Sequence, residues 1–292
     1  MYSLTFQFSK MLKKNYYCLI AGLPDLIIDG YRKALTSLQF RLELVDQLNR
    51  PDYNLLELFY RQYDNKNLLN LLLQQKFQFD ILGNYTENYL KNQIVEPTDI
   101  VEYMKMLISD FKSETFDKSP LHSENRLQEL FYNDILKTNN DFIKQWFVFD
   151  RDTRNILTAT NCHKYGYALE KHLIPDKKNN GLYEILLKEV LKPNMLADED
   201  RPYLKQILQL AESTINASEK EKAIDNIKWT FLDELTFFYY FTIETILSFV
   251  IKLNIIDRWN KLDSDTGKAF LERLINELEM SYSFPEEFSL IK

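Results

Sequence analysis

The sequence predicts an all-α protein, and three observations carry that expectation. The 292 residues include 6 Gly and 8 Pro, about 5% together against roughly 12% in average usage. That is too little turn chemistry for a sandwich or barrel, which needs a turn signal about every 8–12 residues. Apolar side chains recur at i, i+3 and i+4 along most of the chain, and almost nowhere with period two. The hydrophobic fraction of 45%, with 20 Phe and 18 Tyr, supplies a packed core, unlike the composition of a disordered chain.

In chain order, Tyr16 to Ile20 is the one segment that reads as a possible short strand. Next, Phe59-Tyr60-Arg61-Gln62-Tyr63-Asp64-Asn65-Lys66-Asn67-Leu68-Leu69 echoes Trp146-Phe147-Val148-Phe149-Asp150-Arg151-Asp152-Thr153-Arg154-Asn155-Ile156-Leu157. Both run from an aromatic-rich helix end into Asp-x-x-Asn-(Leu/Ile)-Leu. Asp64 and Asp152 are expected to cap new helices, with Asn67 and Asn155 in the first turn, making a helical corner repeated twice; a fainter third copy lies near Asp233-Glu234-Leu235. Gly83-Asn84, Glu114 to Ser123, Pro175 to Gly181 and Pro193 to Asp200 read as loops. Stripes at Leu127, Leu130, Phe131 and at Phe142, Trp146, Phe149 predict helices, and the helix capped by Asp152 is expected to end at Gly166 in a left-handed turn. Leu182, Ile185 and Leu186 form another stripe. Pro202 opens a helix carrying Leu204, Ile207, Leu208, Ala211 and Ile215, and Ser218-Glu219-Lys220-Glu221 reads as a capping box. The most hydrophobic stretch, Phe237 to Ile251, is expected to be a buried helix, with Glu244 in need of a partner and Arg258 a candidate for it. A final stripe is Leu271, Leu274, Ile275 and Leu278. The loops divide the chain into parts 1–113, 114–180 and 181–292, with joints expected near Gly83, Pro120, Gly181 and Pro193.

Several chemistries are excluded by spacing. The six glycines never fall closer than eight residues apart, so no glycine-rich phosphate loop exists. Cys18 and Cys162 build no disulfide framework and no CxxC, which suits a reducing compartment. His122, His163 and His172 fall in none of the usual zinc spacings, and His163 reads as a helix-surface residue near a C-terminus. No GxSxG elbow occurs, and Cys162 reads as a small core residue. The net charge of −7 with scattered basic residues disfavours nucleic acid. Arg151, Arg154, Lys164 and Tyr165 form at most a local basic and aromatic patch on solvated helix ends. Carboxylate pairs such as Asp198 with Asp200 and Glu286 with Glu287 are ordinary in a chain with 43 acids. Lys10, Lys13 and Lys14 before a short apolar run imitate a signal peptide, but Pro24-Asp25 follows at once, and the run reads as mature sequence. The stretch around Glu244 is too short and too charged for a membrane span. No catalytic residue, metal ligand or cofactor is assigned.

Four segments carry a resemblance: Asn15 to Leu26, Trp146 to Gly166, Ile227 to Phe238, and Ile255-Ile256-Asp257-Arg258-Trp259. They are similar to an uncharacterised bacterial family of about this length, and through it the chain resembles the central-stalk C subunits of A/V-type ATPases, the counterparts of the eukaryotic V-ATPase d subunits. In that family the pattern begins near Met11, and the resemblance implies the expectation that residues 1–10 are an upstream-start extension. The resemblance implies three helical bundles in a funnel with pseudo-threefold symmetry. It also implies a non-catalytic component on the cytoplasmic face of the membrane, passing torque between the central-axle subunits and the membrane rotor ring. Its only membrane contact would be through the complex, with Asp64, Asn67, Asp152, Arg154 and Asn155 as partner or corner residues and Glu244 and Arg258 as structural ones. The rival expectations are a cytosolic helical adaptor binding a protein or peptide and, behind it, a hydrolase with an unrecognised acid pair.

Overall fold

The computed structural model describes residues 15–28, 35–175, 181–188, 196 and 201–261. Among them every regular element is helical: α1 Tyr17–Ala21, α2 Ser37–Gln47, α3 Arg50–Leu72, α4 Glu87–Val95, α5 Glu102–Lys112, α6 Pro120–Ile135, α7 Asp141–Tyr165, α8 Gly181–Leu186, α9 Tyr203–Glu212, α10 Ala217–Thr236 and α11 Ile243–Lys261, with one 3₁₀ turn at Leu169–Lys171. The all-α expectation holds. The strand expected at Tyr16 to Ile20 is instead α1. The stripe from Leu271 to Leu278, the acid pairs at 198/200 and 286/287, the Lys10–Lys14 run, the 1–10 extension and the joint at Pro193 lie outside the described residues.

Short polar side chains set the helix starts. Thr36 accepts from the Gln39 amide and Gln39 answers in a complete capping box, while Asn49, Thr86, Asn140 and Asn216 cap α3, α4, α7 and α10. Each satisfies a backbone N–H that the first turn leaves free. Asn140 and Asn216 thus take the roles assigned to Asp152 and Ser218, which lie inside their helices. Gly166 ends α7 in the left-handed conformation (φ 70°), as expected. Gln74 follows α3 with φ 54°, an unusual conformation for a residue with a Cβ.

The helices share a continuous apolar core, with α7 central to it. Aromatic contacts cross from one long helix to the next. Phe59 on α3 meets Phe147 on α7 at 5.3 Å, and Phe131 on α6 meets Phe147 edge-on at 5.5 Å. Phe149 stacks on Phe231 of α10 at 4.2 Å and meets Tyr203 of α9 at 4.7 Å, while Phe40 of α2 and Phe249 of α11 meet at 4.9 Å. Such pairs contribute about 0.5–1.5 kcal/mol each beyond the area they bury. The contacts establish the helical class; a threefold axis and a funnel are not evident in them. Phe237 to Thr242 departs from expectation, since α11 begins only at Ile243 and the aromatic run forms an exposed turn before it.

Candidate functional site

The two Asp-x-x-Asn motifs lie in the middle of long helices, so they are not corners. Asn67 donates from Nδ2 to the Asp80 carbonyl at 2.8 Å and accepts the Asp80 N–H at Oδ1, 2.9 Å. Asn155 makes the same pair with Ile174, 2.8 Å and 2.9 Å. Each asparagine therefore pins the backbone of a segment that returns over its own helix. The aspartates hold further parts of the chain. Asp64 accepts Asn84 Nδ2 at 2.7 Å and the Tyr85 N–H at 3.1 Å. Asp152 accepts Arg201 and the Tyr203 hydroxyl, both at 3.1 Å, with Arg151 at 3.5 Å. Burial raises the carboxyl pKa of both, against hydrogen bonds from Asn84 and Tyr85 at Asp64 and against Arg151 and Arg201 at Asp152. The echo in the sequence is a repeated clamp. Arg151 is buried and does not belong to a surface patch; Arg154 pairs with Glu124 at 2.6 Å.

Glu244 is buried and accepts from Asn140 Nδ2 at 3.1 Å and from the Thr242 hydroxyl. Arg258 is not its partner. Both lie on the one continuous helix α11, about 21 Å apart along its axis at about 1.5 Å per residue. Arg258 instead pairs with Glu221 at 2.5 Å and with the buried Asp225, which also accepts Trp259 Nε1 at 2.7 Å. The contact ties α11 to α10.

Where α3, α7, α10 and α11 face one another, the clamps leave a polar cleft of two adjoining lobes, about 380 and 440 Å³, both walled by Gln62, Asp150 and Lys228. Four carboxylates line the first lobe. Asp257 Oδ2 accepts the Ser37 N–H at 2.6 Å, Asp150 Oδ2 the Tyr132 hydroxyl at 2.6 Å, and Asp80 Oδ1 the Leu82 N–H at 3.0 Å. The fourth, Asp225, keeps Oδ1 without a hydrogen bond, 3.6 Å from Lys228 Nζ. Ser37 Oγ and Asn254 Oδ1 in the same wall have no hydrogen-bond partner. The Tyr63 hydroxyl beside them is pushed up to about 12 by burial and then by the Asp80 and Asp257 carboxylates, against Arg41. No group of three His, Cys, Asp or Glu among the described residues converges closely enough to hold a metal ion.

The turn between α10 and α11 is the second feature. Phe237, Phe238 and Tyr240 are 67%, 81% and 68% exposed. Phe241 rests on Tyr17 at 4.6 Å, and its carbonyl accepts the Tyr16 N–H at 2.7 Å, which fixes the turn to α1. Sequence reasoning missed this exposure because fifteen mostly apolar residues read as one core helix. It missed the acidic cleft because Asp80, Asp150 and Asp257 look like any of the 43 acids.

These features describe an all-helical protein with an acid-lined cleft and an exposed aromatic turn, and no helix among the described residues is long and apolar enough to cross a membrane. The chain belongs to the family described as "Protein of unknown function (DUF2764)", which matches residues 13–282. No curated protein and no solved structure matches the chain. The likeness to an uncharacterised family therefore stands. Its extension to the stalk component of A/V-type ATPases does not, because the matched family carries no function and nothing in the match points to such a complex.

Proposed function

We propose that the protein is a non-catalytic helical adaptor that docks on a protein partner through the aromatic turn Phe237–Phe241. The exposure of that turn is the observation that carries the reading. Four aromatic side chains at about 150–250 Å² each, roughly two-thirds exposed, offer on the order of 500 Å² of apolar surface. That exceeds what isolated apolar residues on a monomer present, and it is most of the roughly 800 Å² per partner in a standard interface. Aromatic anchors also supply the largest share of binding energy where interfaces have been dissected. The exposed Glu234 stands next to the turn in sequence, while Asp233 is already paired with Lys252 at 2.5 Å, so the matching partner surface is an apolar pocket with a basic group at its rim. Free cysteines at Cys18 and Cys162 suit work in a reducing compartment.

The test is site-specific photocrosslinking with a benzophenone amino acid at position 238, in cells that make the protein natively. One discrete protein adduct is expected, lost when Phe237 and Tyr240 are both changed to Ser. Adducts to lipid alone, or the same adducts from the exposed Val95 on α4, would defeat the reading. Because the turn is exposed, the Ser variants should keep the wild-type melting temperature.

A further inference from the structure

We propose that the cleft between α3, α7, α10 and α11 binds a small linear polycation of the aliphatic polyamine class, independently of any partner docked at the aromatic turn. The charge count at its first lobe points to a cationic ligand. Lys228 and Arg258 are engaged by Asp225, which leaves Lys66, with no ion pair among the described residues, in the same lobe as Asp80, Asp150 and Asp257. Each of these three carboxylates has one oxygen held by the protein, Asp80 by the Leu82 N–H, Asp150 by the Tyr132 hydroxyl and Asp257 by the Ser37 N–H. The other oxygen of each makes no hydrogen bond among the described residues. Those oxygens are fixed in place, and of the cations lining the lobe only Lys66 is left to oppose their three charges.

Spacing separates a polyamine from a metal ion. The carboxylates come from three separate elements, the segment after α3, α7 and α11, and they do not converge on one point. A ligand that satisfies them must carry several positive groups along a chain. Between the acids the walls are apolar and aromatic, with Phe59, Tyr63, Trp146 and Ile251, a surface suited to methylene segments and to ammonium groups over ring faces. Two further acceptors in the same wall, buried Ser37 Oγ and Asn254 Oδ1, have no hydrogen-bond partner. Buried polar groups left that way are costly, and an ammonium N–H is the donor each lacks. A lobe of about 380 Å³ falls within the usual range for small-molecule sites.

Calorimetric titration of the full chain with spermidine should give saturable binding at one site. Asp150→Asn and Asp257→Asn, which keep an acceptor for Tyr132 and for the Ser37 amide, should each weaken it about tenfold. Lys66→Gln should strengthen it about threefold, and this exposed side chain provides a readout even if the aspartate variants fail to fold. Glu87→Gln on α4 removes the same charge away from the cleft and should leave affinity unchanged. Non-saturable heats, equal competition by Mg²⁺, or an affinity that ignores both the aspartate variants and Lys66→Gln would overturn the site. Tighter binding of an acetylated tri-lysine amide than of spermidine would overturn the small-molecule assignment.

Discussion

Gly83 is the position where the fold tolerates least. A Cβ there would stand 2.4 Å from Asp64 Oδ1 and 3.3 Å from its Cγ. The carboxylate cannot withdraw cheaply, because it is fully buried and holds Asn84 and the Tyr85 N–H. On the other side, Arg41 donates to the Gly83 carbonyl at 2.8 Å while lying over the Tyr60 ring at 4.1 Å. Overpacking of this kind costs about 1–3 kcal/mol, and losing a hydrogen bond to a charged group adds about 1.5–3 kcal/mol. Gly83→Ala should therefore destabilise the protein by roughly 3–5 kcal/mol, a large part of a typical 5–15 kcal/mol. Urea unfolding followed by circular dichroism would show a midpoint lowered by about 1 M or more, for a slope of about 3 kcal/mol per M. The sharper reading comes from a double-mutant cycle. Asp64→Ala removes the clashing atoms, so adding Gly83→Ala to it should cost little, giving a coupling of about 3 kcal/mol or more. Additivity to within about 0.5 kcal/mol would refute the argument, since the cost would then come from the glycine backbone and not from the Asp64 contact. The sequence suggested a flexible joint here; the structure has a lock.

Asn155→Ala should cost about 2–4 kcal/mol, because it leaves the Ile174 N–H and carbonyl unpaired in a buried place, and amide exchange at Ile174 should accelerate more than at residues in the middle of α7. Asp64 and Asp152 have folded pKa values raised above the unfolded value near 3.8, so between that value and the raised one the folded state binds more protons. The stability this contributes is full below the unfolded pKa and is lost as pH rises through the folded pKa. Asp152→Asn should then improve relative to wild type as pH is raised from 4 to 7 in urea titrations, and a gap that stays constant or widens would contradict the burial argument. Gln74→Gly should stabilise by about 0.5 kcal/mol, since glycine adopts the φ of 54° without the Cβ clash; a lower melting temperature would show that the Gln74 side chain makes a contact worth more than the strain.

Much of the helical framework was legible because its signals are local. The stripe from Leu204 to Ala211 with Pro202 before it gives α9, and Gly166 stops α7 where a left-handed residue is required. The errors at helix starts share one cause. Asp152 and Ser218 have the right chemistry for caps, yet Asn140 and Asn216 lie upstream, and a helix already under way leaves no free amide for a later side chain to accept. Which acceptable cap is used depends on where the apolar face begins to pack, which is a tertiary matter.

The Asp-x-x-Asn echo was legible as residues but not as a role. A cap and a mid-helix clamp use the same side chains, and only the partner distinguishes them: for Asn67 that is Asp80, for Asn155 it is Ile174, thirteen and nineteen residues on. No window of helical periodicity reaches so far. The aromatic turn fails for a related reason. Composition reports that Phe237 to Phe241 is apolar, but whether such a run is covered depends on how many neighbours the fold brings over it, and α11 starts too late to include it. A chain that keeps four large aromatic residues in a turn fixed to α1, while burying others of the same size throughout its core, retains a solubility hazard that folding alone does not require. That retention is the physical reason to look for its function at the turn, and photocrosslinking from position 238 addresses it directly.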